Sequence, residues 1–194
     1  MRFRKSLKIS SKTSTVTNAF VQAIIPSDEP SAAMRDKTLE VLGMNRGTMT
    51  CVYCGGVTSD WDHLRPLVRD GDPTGYFNEV RNLVPACGRC NQSKSGQEWR
   101  SWMTGTAKNS PASSNISGID ARIESLNRFV AWGDHAPVNL AKLADPQLWD
   151  DYWNQLKNIK QMMHNAQQTA DQLRRNIGNA LAAHDNVIVA PPPF

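Results

Sequence analysis

No stretch of the 194-residue chain approaches the roughly 20 consecutive apolar residues that a membrane-spanning helix needs. No cysteine stands outside two Cys-x-x-Cys pairs, no acidic residue precedes Asp28, and the N-terminus has neither the apolar core nor the cleavage site of a secretory signal. The first absence excludes a helical membrane protein. The second limits the cysteines to one four-thiolate site or two disulfides, with none left over. The third leaves a basic arm, Arg2, Arg4, Lys5, Lys8 and Lys12. An Arg- and Ser-rich, acid-poor start is also the composition of a mitochondrial transit peptide, but an intracellular, cytoplasmic location is the default expectation.

What is present is ordinary in bulk. A hydrophobic share of 40% and a charged share of 21% are those of a soluble protein. The length suits one domain, or a small domain with extensions, that buries a proper core. The net charge of +4 points mildly to a polyanionic partner, and Arg81, Arg89, Lys94 and Arg100 concentrate it near the cysteines.

The pairs are Cys51-Val-Tyr-Cys54 and Cys87-Gly-Arg-Cys90, with 32 residues between them. In a chain without a secretory signal, reducing conditions disfavour disulfides, and this spacing suits a four-cysteine zinc site. Such a site has four protein ligands and no open position, so it organises a fold and does not catalyse. Chemistry must come from other residues.

Local signals place those residues. Residues 16 to 25 read as a helix stopped by Pro26, and 31 to 43 as a second, begun by Ser31 and ended by Gly43. Thr50 to Tyr53, Ser59 to Leu64 and Val80 to Val84 read as short strands, the last two joined by a polar loop containing Gly71-Asp72-Pro73-Thr74-Gly75. A helix is expected from about Arg89 to Met103.

Phosphodiester hydrolysis needs a base for the attacking water, a cation against the developing charge, and positive groups for the backbone. His63, with an ordinary pKa of about 6.5, suits the base. Asp62 and the side-chain carbonyl of Asn91 are hard oxygen donors for Mg²⁺ or Mn²⁺. Adjacent strand residues point to opposite faces, so Asp62 and His63 serve one site only where the strand ends or bends, and Pro66 signals such an end. Lys94 and Arg89 are candidates for phosphate contact, with Arg65, Arg69 and Arg81 weaker ones.

Asp62-His63, then Asn82-Leu83, then Cys87-Gly-Arg-Cys90-Asn91-Gln-Ser-Lys94-Ser-Gly96 resembles the zinc-knuckle branch of the HNH endonucleases. The resemblance covers about residues 48 to 104. It implies a ββα-metal core, a structural Zn²⁺ on Cys51, Cys54, Cys87 and Cys90, and a catalytic Mg²⁺ or Mn²⁺ on Asp62 and Asn91. It also implies His63 as general base and Asn82 as the asparagine that braces the loop and orients that base. The activity implied is hydrolysis of double-stranded DNA to 5′-phosphate and 3′-hydroxyl ends, with restriction-type enzymes among the family's roles. A zinc-stabilised DNA-binding module without hydrolysis is the alternative. Two departures stand out: Asn91 where many members have histidine, and a loop of 18 residues between His63 and Asn82.

The expected fold is therefore α+β and mostly helical. Residues 1–47 form a basic arm with short helices, and 48–104 form the zinc-bound nuclease core. A linker or exposed loop follows at 105–117, then a helical region at 118–185 and a flexible tail at 186–194. Ile119, Ile123, Leu126 and Val130 share one face of a helix from about Gly118 to Trp132. Asp145-Pro146 signals the start of a longer one. Along that helix Tyr152, Leu156, Ile159, Met163, Ala166, Ala170, Leu173, Ile177 and Ala180 alternate steps of four and three, a seam that packs on the chain itself or on a second copy in a homodimer.

Overall fold

The computed structural model describes residues 7–134 and 136–188; Arg2, Arg4 and Lys5 of the basic arm and the last residues of the tail lie outside them. The chain is a mostly helical α+β protein that divides into two compact units, residues 18–143 and a second formed by the N-terminal segment to Thr17 with residues from Ala144 onward. No helix among the described residues is long and apolar enough to cross a membrane.

The first unit begins in helix α1, Thr13–Ala23, which crosses the division between the units. Helix α2, Ala32–Val41, starts where Ser31 Oγ accepts the Met34 amide, and the chain turns out of it through Gly43 at φ +75°. Four short strands follow: β1 Asp60–His63, β2 Val68–Arg69, β3 Asp72–Pro73 and β4 Leu83–Ala86. β1 and β4 pair antiparallel, with Asp62 opposite Val84 and His63 opposite Leu83. Helices α3, Gly88–Lys94, α4, Trp99–Thr104, α5, Ile119–Gly133, and α6, Leu140–Leu143, complete the unit.

Several local expectations change. Thr50 to Tyr53 is not a strand: the chain turns at Val52 to Cys54, where Cys51 receives the Gly55 amide on its carbonyl and gives its own amide to the Gly56 carbonyl. Gly55 sits at φ +76°, a conformation that favours glycine. Only Val52 reaches the sheet, donating to the Pro85 carbonyl at 2.9 Å. The strand expected over Val80 to Val84 starts later, after a 3-10 turn at Val80–Asn82. The loop between β1 and β4 contains a hairpin, β2 on β3, closed by Asp70-Gly71 with both residues at positive φ, the backbone that a two-residue Asp-Gly turn requires. The single helix expected over Arg89 to Met103 is two, broken where Ser95 takes φ +48° and restarted by Glu98, whose carboxylate accepts the Arg100 and Ser101 amides.

The core of this unit gathers Val52, Tyr53, Leu64, Val84, Trp102, Met103, Leu126 and Phe129 around the β1–β4 sheet. Within residues 105–117, Ser110 is fully buried and bonded to the Gly105 carbonyl, and Ala112 donates to the Met103 carbonyl. The hydroxyls of Ser110 and Ser113 donate to the nearby carbonyls of Gly105 and Ala107, a local bonding that lets this part of a Ser/Asn-rich stretch pack. On α5, Phe129 is buried beside Leu126 and stacks at a tilt on Trp132, 5.7 Å away. Phe129→Ala removes a fully buried ring and is expected to lower unfolding free energy by about 3–5 kcal/mol in denaturant titration.

In the second unit the long helix α7 runs Pro146–Ile188, about 64 Å at 1.5 Å per residue. Asp145 Oδ1 accepts the Leu148 amide at 2.9 Å, so the Asp-Pro signal is a working N-cap. A 3-10 turn at Ile9–Lys12 lies on α7, where the Ile9 amide donates to Gln167 Oε1. Leu156 and Gln167 are buried, whereas Leu173 and Ile177 remain more than half exposed. Of the apolar seam, Leu156 is buried and Tyr152 and Met163 are half-buried, while Ile159 and Ala166 are exposed.

Candidate metal and nuclease site

The four cysteine sulfurs lie within 4.8 Å of one another, a potential metal cluster among the described residues. A tetrahedron of ~2.3 Å zinc–sulfur bonds places its sulfurs about 3.8 Å apart. Cys54 Sγ and Cys87 Sγ are 3.8 Å apart, and no disulfide joins any pair. The donor set and its spacing therefore fit Zn²⁺. Cys51 and Cys90 are buried and the other two half-buried. The contact with Cys90 draws the Cys51 thiol down to about 5, against the effect of burial, while the same contact and burial push Cys90 up. The thiolate is the form that ligates metal, and the contact favours it at Cys51.

The knuckles position the residues around them. Cys87 follows β4 and is the N-cap of α3, so Cys90 and Asn91 sit on the first turns of a helix that packs against β1. β1 ends at His63, where Leu64 turns to donate to the Asn82 carbonyl. That strand end allows Asp62 and His63 to share one cavity despite their alternation. The cavity, of about 580 Å³, is lined by Asp62, His63 and Asn91, by Asn18 and Gln22 of α1, by the β2–β3 hairpin, and by Ser95 to Gln97. The break between α3 and α4, which the sequence pattern did not disclose, thus supplies part of its wall.

His63 is held by a residue that sequence spacing did not single out. Its Nε2 lies 2.8 Å from Asn78 Oδ1, and Asn78 Nδ2 donates to Ser27 Oγ at 2.7 Å. A carbonyl oxygen only accepts, so Nε2 carries the proton and Nδ1 is left as the basic nitrogen. Ser27 and Asn78 also form a backbone bridge, which fixes this partner from the segment after α1. Burial lowers the His63 pKa, opposed by the Asn78 bond and the Asp62 charge, so the ring is neutral at neutral pH.

Asn82 is buried and acts on the backbone: Oδ1 accepts the Arg65 amide at 2.9 Å, and Nδ2 donates to the carbonyls of Arg65 and Phe77. It staples the ends of the loop after β1. The ring of His63 bonds to Asn78, whereas the bonds of Asn82 run to the loop backbone.

Asp62 is buried, with Oδ2 accepting from the Tyr53 hydroxyl at 2.7 Å and lying 3.2 Å from Lys94 Nζ. Lys94 is fully buried and also donates to the His63 carbonyl at 2.9 Å. The phosphate contact expected of Lys94 is therefore corrected: an ammonium without exposure, committed to an ion pair, has no path to a nucleic-acid backbone. Burial pushes the Asp62 carboxyl up, while Lys94 and Tyr53 pull it down; burial likewise lowers Lys94 against the pull of Asp62. Arg89 is exposed but does not line the cavity, whereas the exposed Arg69 of the hairpin does. Arg65 and Arg81 lie over the rings of Tyr76 and Trp132.

The chain is similar to the CRISPR-associated endonuclease Cas9 of Corynebacterium diphtheriae, at 32% identity over 93 residues. The match covers 46% of this chain and 7% of that protein. No protein-family model and no solved structure matches the chain.

Proposed function

We propose that this chain is a metal-dependent DNA endonuclease of HNH type. The observation that carries the reading is the cavity on which Asp62, His63 and Asn91 converge beside a four-cysteine cluster. The similarity to a protein named as an endonuclease supports it. Asp62 and Asn91 offer two hard oxygen donors suited to Mg²⁺ or Mn²⁺. Such a cation, when bound, neutralises charge on the scissile phosphate and on the departing 3′ oxygen. His63 accepts a proton from the attacking water at Nδ1, with Asn78 holding the required tautomer. Arg69 lines the cavity and, on this reading, holds a phosphate of the DNA backbone.

A titration of Mg²⁺ and Mn²⁺ against supercoiled plasmid tests this reading. Nicking should appear with either ion, cease with chelator, and leave 5′ phosphates and 3′ hydroxyls when the ends are sequenced. Binding without nicking at every metal concentration would instead support the zinc-stabilised DNA-binding module. The exposed Leu173, Ile177 and Leu181 of α7 suit pairing with a second copy. Light scattering on the zinc-loaded chain should then give twice the monomer mass, and a monomer at tens of micromolar refutes that pairing.

A further inference from the structure

Both contacts to the Asp62 carboxylate fall on one oxygen. Tyr53 Oη donates to Oδ2 at 2.7 Å and Lys94 Nζ stands 3.2 Å from the same atom, while Asp62 is one of the residues lining the cavity. Tyr53 is fully buried, its ring set edge-on against Trp102 at 5.1 Å, so the hydroxyl has little freedom to leave its partner. It is also the third residue of Cys51-Val-Tyr-Cys54. The backbone that presents two thiolates to a metal therefore presents, from the same turn, the hydroxyl that holds Asp62.

We propose that Tyr53 is a positioning residue for Asp62, pinning Oδ2 together with Lys94 so that Oδ1 is the oxygen offered to a divalent cation in the cavity. This rests on the reading of Asp62 as a cation ligand. A carboxylate on a short strand next to a cavity can rotate about χ2 and present either oxygen, and each orientation lost to rotation weakens metal binding. Hydrogen bonds to one oxygen remove that freedom, as partners behind a metal ligand commonly do. Lys94 supplies charge to the same oxygen, and its second bond to the His63 carbonyl fixes the ammonium across the end of β1. The zinc knuckle then sets cation affinity as well as fold, through one phenol and one carboxylate.

The test is Tyr53→Phe in the zinc-loaded full chain, a change that keeps the ring and removes only the hydroxyl. Zinc content should stay at the wild-type value. Mn²⁺ binding, followed by electron paramagnetic resonance of the free ion, should weaken about 10-fold to 100-fold. The half-saturating Mn²⁺ concentration for plasmid cleavage should rise by the same factor, with the rate at saturation within about threefold of wild type. In an Asp62→Asn background, Tyr53→Phe should change Mn²⁺ binding no further, which a general loosening of the core would not reproduce. If Tyr53→Phe loses zinc, the wild-type chain still decides: the hydrogen-bonded Tyr53 hydroxyl proton should move on Mg²⁺ addition, and an unmoved resonance overturns the proposal. Unchanged Mn²⁺ affinity in a folded Tyr53→Phe chain that cleaves DNA overturns the positioning role and leaves the nuclease standing. A wild-type chain that neither binds Mn²⁺ nor cleaves overturns both.

Discussion

Cys90→Ser, or exhaustive chelation of the wild-type chain, should abolish the cooperative melting of the unit spanning residues 18–143. Structural zinc in small domains contributes an apparent free energy of about 10–16 kcal/mol, as much as the whole stability of a typical domain. Here the dependence is built into the element that carries the site. α3 has seven residues, too few to form alone, and it is anchored at Cys87 and Cys90. Without a cation, four sulfurs within 4.8 Å cannot all ionise, and two of the thiols are buried. Tyr53 and Val52, part of the core, lie between the first two ligands, so losing the centre loosens packing as well as ligation. The measurement is calorimetry with a parallel metal assay, and one zinc should be released per chain unfolded. A Cys90→Ser chain that melts within a few degrees of wild type would refute the dependence.

His63→Ala should reduce plasmid cleavage about 10²-fold to 10⁴-fold, the usual contribution of a positioned general base. The ring is half-buried and bonds to Asn78, so the substitution leaves the Asp62–Lys94–Tyr53 contacts and the four cysteines in place. Zinc content and Mn²⁺ binding should therefore match wild type, which separates loss of the base from loss of the fold. Asn78→Ala should give a smaller loss, because the ring remains but its tautomer and aim are no longer set. The comparison is made in single turnover at saturating metal. Cleavage by His63→Ala at the wild-type rate would be incompatible with His63 as the base.

Some of this architecture was legible in local sequence. Ser31 and Gly43 bound α2, and Asp145-Pro146 starts α7, because caps are made by side chains within three or four residues of the amides they satisfy. The two cysteine pairs, with none spare, pointed to one four-cysteine cluster, and their sulfurs do lie together; the Asp-Gly turn of the hairpin is present as a signal but lies inside a loop too polar to suggest strands. Thr50 to Tyr53 alternates like a strand yet enters a turn, because alternation of side chains carries no information about the Cys51–Gly55 and Cys51–Gly56 backbone bonds that close it. The helix expected to run unbroken to Met103 breaks at Ser95, since no proline or cap announced a stop there, only Gly96 after it.

By itself the sequence determined which groups are available: four thiols in two pairs, a carboxylate and an imidazole side by side, and an amide directly after the last cysteine. The tertiary structure decided their partners. Tyr53 meets Asp62 across 9 residues, Asn78 meets His63 across 15, and Lys94 reaches the His63 carbonyl across 31. Such contacts depend on how β1, the loop and α3 pack together, and packing takes its geometry from burial and shape across the whole core, whereas spacing along the chain reports only what neighbouring residues can reach.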